Sequence, residues 1–239
     1  ASLLAARGRV PVVAVGTGFT VPPSDGVAFP LLRGEEPLIA EDALLTVVNR
    51  ALQRAGMGAL NALPDMAVAD LACPATFAEL DPYRKYRKGA VYPPFVSGEA
   101  GEAGDGKAVF VYAAVGDPRT VALMRALPLV VRAGVPVIAW LPGLSAPDAK
   151  DLAAAGVQVL SAPATQTAIA AQAKLLVTTG GLGMVSFALT AGLPMALLPM
   201  DLEKHLTARA VEELGCGVIL PQGTDSAALS RAIMNAAHS

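Results

Sequence analysis

The sequence predicts an α/β protein whose larger part is a Rossmann-like doubly wound parallel sheet. From Gly106 to Ser239, short apolar runs alternate regularly with segments that have the spacing of helices. Strands that are apolar throughout, each followed by a helix, indicate a parallel sheet that is covered on both faces. Several helical segments end in a glycine directly before the next strand, which is a usual helix terminus. These glycines are Gly134, Gly156, Gly192 and Gly215.

The elements of this part are read from the alternation of apolar and polar residues. The predicted strands are Ala108–Ala114, Pro136–Leu141, Val157–Leu160, Lys174–Thr178, Pro194–Leu198 and Gly217–Leu220. The predicted helices are Arg119–Ala133, Ala146–Ala155, Thr165–Ala173, Gly183–Ala191, Glu203–Leu214 and Ser226–Ala237.

The first part of the chain contains fewer elements. Pro11–Val15 predicts a buried strand, and Leu71–Cys73 predicts another short one. Between them, Glu41–Ala59 has the pattern of an amphipathic helix, with Leu44 and Leu52 on its apolar face. One strand–helix–strand unit is too little for an independent α/β domain, so we expect the end of a larger domain.

Gly98–Gly106 is a run of small and acidic residues that reads as a mobile surface loop or linker. It divides the chain into two predicted domains, residues 1–97 and 106–239. The chain opens at Ala1–Gly8 without an initiator Met, in a stretch that resembles the middle of a helix. We therefore expect an N-terminally truncated fragment.

Composition and charge exclude several classes of function. The chain has 239 residues, of which 54% are hydrophobic, and a formal net charge of −2. No global field would attract nucleic acid or an anionic membrane. The basic run Tyr83–Lys88 stands beside Glu79 and Asp81, which is more typical of a solvated surface or linker than of a nucleic-acid patch. Pro, Gly or charged residues interrupt the apolar stretches, so we expect no membrane span.

The two cysteines, Cys73 and Cys216, lie far apart in the sequence. This spacing predicts neither a disulfide framework nor a zinc site, and a reducing, cytoplasmic location is the default. The sequence also lacks the His–carboxylate spacing of a metal site and the elbow that surrounds a nucleophilic serine. We expect no bound metal and no cofactor.

The strand that ends at Thr178 leads into Thr179–Gly183, and a helix follows at once. Ligands of open parallel sheets bind beyond the carboxyl ends of the strands. Glycines let the backbone approach a ligand closely, and the N–H groups that open a helix favour a phosphate. Helix–strand packing is the alternative reason for such a turn, so the turn alone is weak evidence.

The context of the turn is more specific. Leu175–Pro199 reads LLVTTGGLGMVSFALTAGLPMALLP, and Asp201–Val218 follows with DLEKHLTARAVEELGCGV. This run of about 50 residues resembles the donor-binding signature of UDP-glycosyltransferase-like enzymes of GT-B fold. Val12–Pro23 and Ala75–Tyr83 are similar, more weakly, to late acceptor-domain segments of bacterial macrolide- and antibiotic-type glycosyltransferases. The resemblance implies a donor domain preceded by a partial acceptor domain.

The resemblance also implies roles for individual residues. The donor pyrophosphate would be held by the turn, at Thr179, Gly180, Gly181, Leu182 and Gly183. Ser161, Pro163 and Ala164 would flank the base. Glu203 and Lys204 would meet the sugar hydroxyls, and Gly116 would lie near the phosphates and the interdomain cleft. Asp201, at a strand end, fits either a site residue or a helix cap.

The implied activity is that of a hexosyltransferase. It would transfer a sugar from a UDP- or TDP-sugar, which is a co-substrate rather than a cofactor, to a hydroxyl of a small-molecule acceptor, with inversion and without a metal. The chain departs from the family pattern at three positions. Thr179 replaces a phosphate-binding His, Phe187 replaces a Glu that binds the ribose, and Lys204 replaces a sugar-binding Gln.

The catalytic base of the family has no counterpart in this chain. Inverting members use a His near the N-terminus, whereas the histidines here are His205 and His238. His205 is read as a helix residue away from the ligand, and Trp140 as a core residue. A non-catalytic homologue that activates a partner enzyme is therefore the alternative, and an epimerase of the same fold is a third. The exposed part of an incomplete acceptor domain also makes a homo-oligomer possible.

Overall fold

The structure is a computed structural model, and it describes residues 10–34, 37–95, 103–223 and 225–238. The chain folds as two compact units, Ala1–Pro94 and Phe95–Ser239. The ranges 1–97 and 106–239 stay predictions of domain organisation. The predicted fragment start, Ala1–Gly8, and the first residues of the predicted linker lie outside the described residues.

In its described residues, the first unit has two strands and one α-helix: β1 (Val13–Gly16), α1 (Glu41–Arg54) and β2 (Leu71–Pro74). β1 and β2 pair in parallel, with Val13 opposite Leu71. Val13 and Val15 are 55% and 57% exposed, so the prediction of a buried strand is wrong. A two-stranded sheet has too little surface to bury the side chains of either strand.

Helix α1 is shorter than predicted, and its apolar face is turned by one residue. Leu52 is buried and packs with Leu45 and Val48, whereas Leu44 is exposed. The helix ends at Arg54 because Gly56 takes a left-handed conformation, with a φ of 69°. The chain then turns back, and the packing of the residues that follow decides which face of α1 is buried.

Most of the basic run Tyr83–Lys88 is exposed, as a solvated surface segment predicts, but the side chains of Tyr83 and Arg87 are buried. The Arg87 Nε lies 2.6 Å from Oδ2 of Asp81, and both side chains are almost fully buried. Nη2 of Arg87 also donates to the carbonyls of Gly18 and Val21, at 3.0 and 2.9 Å. The Tyr83 ring packs beside the same guanidinium. The run therefore anchors the loop after β1.

The second unit has the predicted order of elements, and no end differs from the prediction by more than two residues. Its strands are β3 (Ala108–Tyr112), β4 (Val137–Trp140), β5 (Gln158–Val159), β6 (Ala173–Thr178), β7 (Met195–Leu197) and β8 (Gly217–Ile219). Its helices are α2 (Pro118–Arg132), α3 (Ala146–Ala154), α4 (Gln166–Gln172), α5 (Leu182–Ala191), α6 (Leu202–Glu213) and α7 (Ser226–His238). The glycines predicted to end helices all have positive φ.

The six strands of this unit form one parallel sheet in the order β5-β4-β3-β6-β7-β8. The chain fills one half of the sheet outward from β3 and then the other half outward from β6. This order confirms the doubly wound prediction. The direction in which successive strands are added to the sheet reverses between β3 and β6. Ligands of such sheets bind at this point, beyond the carboxyl ends of the strands.

Helices cover the central strands. Val109, Val111 and Val177 of the sheet are fully buried, in one cluster with Leu123 of α2 and Ile233 of α7. Strands buried in this way carry apolar side chains on both faces, which explains their continuous apolar sequence.

The end of the predicted linker is bound to the second unit rather than mobile. The Ala103 and Gly104 N–H groups donate to the carbonyls of Ala191 and Ala170, at 2.8 and 3.0 Å. A Cβ added at Gly106 would overlap the backbone of Gln172, at the end of α4. Glycine at this position thus allows a close approach of two backbone segments.

Candidate functional site

The carboxyl ends of the central strands lie side by side. Tyr112 of β3 pairs with Trp140 of β4 on one side and with Thr178 of β6 on the other, and Thr178 pairs with Leu197 of β7. The loops that leave these strands therefore begin at one edge of the sheet. They carry the predicted site residues Gly116, Thr179 to Gly181, and Asp201.

The turn between β6 and α5 needs glycine at its centre. Gly180 has a φ of 88°, which L side chains rarely adopt, and a Cβ there would lie 3.1 Å from the Lys204 carbonyl oxygen. Gly181 and Gly183 differ, because a Cβ at either would meet nothing within 4 Å. The structure thus brings Gly180 and Lys204 together and leaves open space beside the start of α5.

Helix α5 begins at Leu182 without a side-chain cap among the described residues, and Gly181 is its N-cap residue. Every other helix of the unit has a side-chain oxygen on an N–H group of its first turn. These oxygens come from Asp117 for α2, Ser145 for α3, Thr165 for α4, Asp201 for α6 and Asp225 for α7. The first N–H groups of α5, which carry its positive dipole end, are therefore open to an anionic ligand.

A cavity of about 760 Å³ lies on the face of the sheet that α4 and α5 cover. Its walls include three aromatic side chains, Phe110, Tyr112 and Trp140, and residues of the loop into α4 also line it. Met184, in the first turn of α5, also lines it. The cavity therefore reaches the start of α5, and its volume is typical of a small-molecule site.

Two of the three residues predicted to flank a base, Pro163 and Ala164, line this cavity. Ser161 does not line it and is exposed in the bend after β5. The prediction that Trp140 is a core residue is wrong, since the residue is half-buried and lines the cavity. Trp140 is the last residue of β4, so its side chain can contact the core on one side and the open edge of the sheet on the other.

Gly116 lies in the loop after β3, with a φ of 151°, and does not line the cavity. The next residue, Asp117, accepts hydrogen bonds from the backbone and side chain of Arg119. Arg119 also donates to the carbonyls of Pro199 and Met200, at 2.9 and 3.1 Å. The guanidinium thus ties the loop after β3 to the loop after β7.

The pairing of Asp117 with Arg119 stabilises the charged form of both side chains. Hydrogen bonds from Arg119 lower the pKa of Asp117 from 3.8 to about 2. The same pairing raises the pKa of Arg119. Both groups therefore stay charged at physiological pH and together add no net charge to the site.

Asp201 is a helix cap. Its Oδ1 accepts from the Lys204 backbone N–H at 2.9 Å, and its Oδ2 lies 2.6 Å from the Lys204 Nζ. Burial acts to raise the pKa of Asp201, but the hydrogen bonds from Lys204 outweigh it, and the pKa is lowered. The Lys204 ammonium is thus already paired, and Glu203 beside it is half-buried in the first turn of α6.

Phe187 lies in the core rather than beside a ligand. It belongs to α5, and its side chain is completely buried. The family resemblance places a ribose-binding carboxylate at this position, which a fully buried phenyl ring cannot replace. Thr179 is half-buried in the glycine turn, and Leu182 opens α5.

The two histidines lie on different helices, α6 and α7. His205 lies in the first turns of α6, and the His238 Nδ1 lies 2.6 Å from the Met234 carbonyl in α7. Among the described residues, no three His, Cys, Asp or Glu side chains are grouped to hold a metal ion. Within the same residues, no helix has the length and apolar character needed to cross a membrane.

Several residues of this edge were not predicted from the sequence. Asp117 followed by Pro118 is a common start of a helix, so the cap could have been found. Arg119, Gln166 and Met184 carry no such signal. Their positions depend on which loops the sheet order places next to each other.

Relatives of the chain are glycosyltransferases. No protein-family model matches it. The NDP-glycosyltransferase YjiC of Bacillus licheniformis is 41% identical over 69 residues, which are 28% of this chain and 17% of the relative.

Solved structures extend the similarity beyond this segment. The calicheamicin glycosyltransferase CalG4 matches with a TM-score of 0.61 and 19% identity, over 100% of this chain and 62% of that one. The spinosyn rhamnosyltransferase SpnG, complexed with thymidine diphosphate, matches with a TM-score of 0.59 and 20% identity, over 96% of this chain and 60% of that one. This chain thus spans less than two thirds of the length of these proteins. It has the GT-B fold, and in sequence and structure it resembles the UDP-glycosyltransferase-like enzymes of the bacterial macrolide and antibiotic type.

Proposed function

We propose that the chain carries the donor-binding part of a glycosyltransferase. The enzyme transfers a hexose-type sugar from a UDP- or TDP-sugar to a hydroxyl group of a small-molecule acceptor. The reaction inverts the anomeric centre and uses no metal ion. The glycosyltransferases found among the sequence and structural relatives support this proposal.

The observation that carries the proposal is the uncapped start of α5. A diphosphate placed there accepts hydrogen bonds from the N–H groups that follow Gly181. Each hydrogen bond to a charged phosphate oxygen contributes about 1.5–3 kcal/mol. Two or three of them give useful affinity for the donor without a cation.

In this proposal, the nucleoside of the donor lies in the adjoining cavity. Its aromatic walls suit a flat base, which stacks on such rings. Because Met184 belongs both to the cavity and to the first turn of α5, a base in the cavity leaves its diphosphate near the helix start. Pro163 and Ala164 then contact the base, as the family resemblance implies.

The chemistry that follows from this placement is a direct displacement. The acceptor oxygen forms a bond to the anomeric carbon while the bond from that carbon to the diphosphate oxygen breaks. The electron pair goes to the diphosphate, and the start of α5 stabilises the negative charge that develops there. The acceptor proton goes to a general base.

A second candidate is a non-catalytic homologue that binds nucleotide and acts on a partner enzyme. Phe187 favours it, because the ribose-binding carboxylate is replaced by a buried ring. The pairing of Lys204 with Asp201 points the same way, since the lysine is occupied within the protein.

Isothermal titration calorimetry with UDP, TDP and UDP-glucose tests the donor site. We expect saturable binding of the nucleoside diphosphates, with pyrophosphate alone binding more weakly. If none of these ligands binds to the folded protein, the glycosyltransferase proposal fails. Binding without transfer of labelled sugar to any hydroxyl acceptor by the complete protein would favour the non-catalytic candidate.

A further inference from the structure

Arg119, in the first turn of α2, uses every hydrogen-bond donor of its side chain within the protein. A guanidinium carries five N–H donors. Nε and Nη2 donate to the two oxygens of the Asp117 carboxylate, at 2.9 and 2.8 Å. The other three N–H groups donate to acceptors in the loops after β7 and β8, namely the carbonyls of Pro199 and Met200 and Oε1 of Gln222. The side chain therefore has no donor left for a phosphate.

The two carbonyls that Arg119 holds come directly before the cap of α6. Asp201, which follows Met200, caps this helix by accepting from the Lys204 N–H at 2.9 Å. The start of α6 in turn lies against the glycine turn, since a Cβ at Gly180 would be 3.1 Å from the Lys204 carbonyl oxygen. A series of direct contacts thus leads from Arg119 through the start of α6 to the turn that opens α5.

The order of the strands places these contacts on both sides of the glycine turn. In the sheet, β6 lies between β3 and β7. Asp117 belongs to the loop after β3 and Pro199 to the loop after β7, so Arg119 joins the two loops that flank the turn after β6. The guanidinium is planar and rigid, and it therefore fixes the spacing of these loops.

Arg119 also balances the charge of a carboxylate at this edge. Its hydrogen bonds lower the pKa of Asp117 from 3.8 to about 2, so this carboxylate is ionised at physiological pH. The hydrogen bonds to Asp117 raise the pKa of Arg119, and the Asp201 carboxylate adds to this effect. Without the guanidinium, the Asp117 carboxylate would be left uncompensated at the edge where the diphosphate is proposed to bind, and would repel it.

We infer that Arg119 is a positioning residue for the diphosphate of the donor. This inference rests on the proposed function, since it concerns the same diphosphate. Arg119 holds the start of α6 against the glycine turn and so keeps the first N–H groups of α5 aimed at the phosphate oxygens. Hydrogen bonds weaken steeply when donor and acceptor are misaligned, so a small shift of the turn lowers the affinity.

The nucleoside does not depend on these contacts. Among the described residues, the cavity proposed for it is lined by none from the loops after β3 and β7 that Arg119 joins. Loss of Arg119 should therefore weaken the binding of UDP and leave the binding of uridine unchanged. A general loss of stability would not separate the two ligands in this way, as long as the protein is folded.

The test measures the binding of UDP by calorimetry and of uridine by ligand-observed NMR, for the wild type, Arg119→Lys and Arg119→Met. Lysine keeps the charge but replaces the rigid fork with a single ammonium. We expect both variants to bind UDP about tenfold more weakly than the wild type, as for the loss of one hydrogen bond to a phosphate. Their affinity for uridine should equal that of the wild type.

Two further variants separate position from charge. Arg125→Met removes a positive charge from an exposed site on the same helix and should leave the affinity for UDP unchanged. Asp117→Asn combined with Arg119→Met removes both charges of the pair. If Arg119 acted through its charge alone, this double variant would bind UDP as the wild type does, whereas a positioning role predicts that binding stays weak.

The outcomes distinguish this inference from the proposed function. A wild type that binds neither UDP nor TDP refutes the donor site and the role of Arg119 with it. If the wild type binds UDP, a folded Arg119→Lys protein with wild-type affinity refutes only the positioning role. Equal losses for UDP and uridine, or full recovery in the double variant, also refute it. Circular dichroism checks folding, and Arg119→Gln replaces Arg119→Met if the latter does not fold.

Discussion

Arg119 donates two hydrogen bonds to the Asp117 carboxylate, from Nε to Oδ1 at 2.9 Å and from Nη2 to Oδ2 at 2.8 Å. The carboxylate holds the plane of the guanidinium, whose remaining N–H groups reach the carbonyls of Pro199 and Met200. The two loops joined in this way follow β3 and β7, on opposite sides of β6. The pair therefore fixes the edge of the sheet around the glycine turn.

Arg119→Lys should loosen this edge. A lysine cannot donate to a carboxylate and to two carbonyls at once, because its ammonium is a single point charge. We expect a loss of about 1–3 kcal/mol in the free energy of unfolding, and faster hydrogen exchange of the amides between Met200 and Lys204. Arg125→Lys, at an exposed site on the same helix, is the control. Equal exchange rates in both variants would contradict the role of Arg119.

Asp117→Asn tests the same pair through pH. The pKa of Asp117 is lowered from 3.8 to about 2 in the folded chain, so the unfolded chain binds its proton first as the pH falls. The stability that the carboxylate adds is therefore complete above its ordinary pKa and is lost as the pH falls towards 2. Urea unfolding of the wild type and of Asp117→Asn should differ most above pH 4 and converge towards pH 2.

The matched control for this series is Asp151→Asn, which changes an exposed carboxylate in α3. Its stability should follow that of the wild type at each pH. A difference between wild type and Asp117→Asn that stays constant from pH 6 to pH 2 would show that the charge of Asp117 is not responsible.

Gly181→Val separates ligand binding from folding at the glycine turn. Gly181 has an extended conformation that valine adopts readily, and a Cβ there meets nothing within 4 Å. We expect a folded protein, destabilised by about 1 kcal/mol at most, because valine is a poorer N-cap residue than glycine. Its side chain fills the space in front of α5, so calorimetry should detect no binding of UDP.

Substitutions at two further glycines serve as controls for Gly181→Val. Gly89→Val, at another site with open space in the first unit, should leave UDP binding unchanged. Gly180→Val should instead lower the melting temperature, because of its positive φ and the nearby Lys204 carbonyl. A folded Gly181→Val protein with wild-type affinity would mean that the turn serves packing alone.

Arg87→Met should destabilise the first unit. It leaves the Asp81 carboxylate buried without its partner, and removal of one member of a buried ion pair typically costs about 3–5 kcal/mol. Lys85→Met, at an exposed position of the same run, should change the stability little. Differential scanning calorimetry of both variants measures the effect. Similar transitions in the two variants would argue against the Arg87–Asp81 pair as an anchor.

The sequence predicted most of the second unit because its signals are local. A continuous apolar run marks a strand buried on both faces, and a glycine in the left-handed region marks a helix end, wherever the element lies in the fold. The glycine turn after Thr178 could be found for the same reason. In the first unit the apolar pattern of α1 was ambiguous by one residue, and packing against the following segment decided the buried face.

By itself, then, the sequence determined the parallel doubly wound sheet, the order of its helices and the turn from β6 into α5. Only the tertiary structure decided what surrounds that turn. Arg87, in a basic run that the sequence predicts to be solvated, forms a buried ion pair with Asp81. Trp140 lines the same cavity as Gln166. Arg119 met the Pro199 carbonyl, 80 residues away. Such contacts join residues that are distant in the chain, and they depend on strand order and loop packing, which no local pattern encodes.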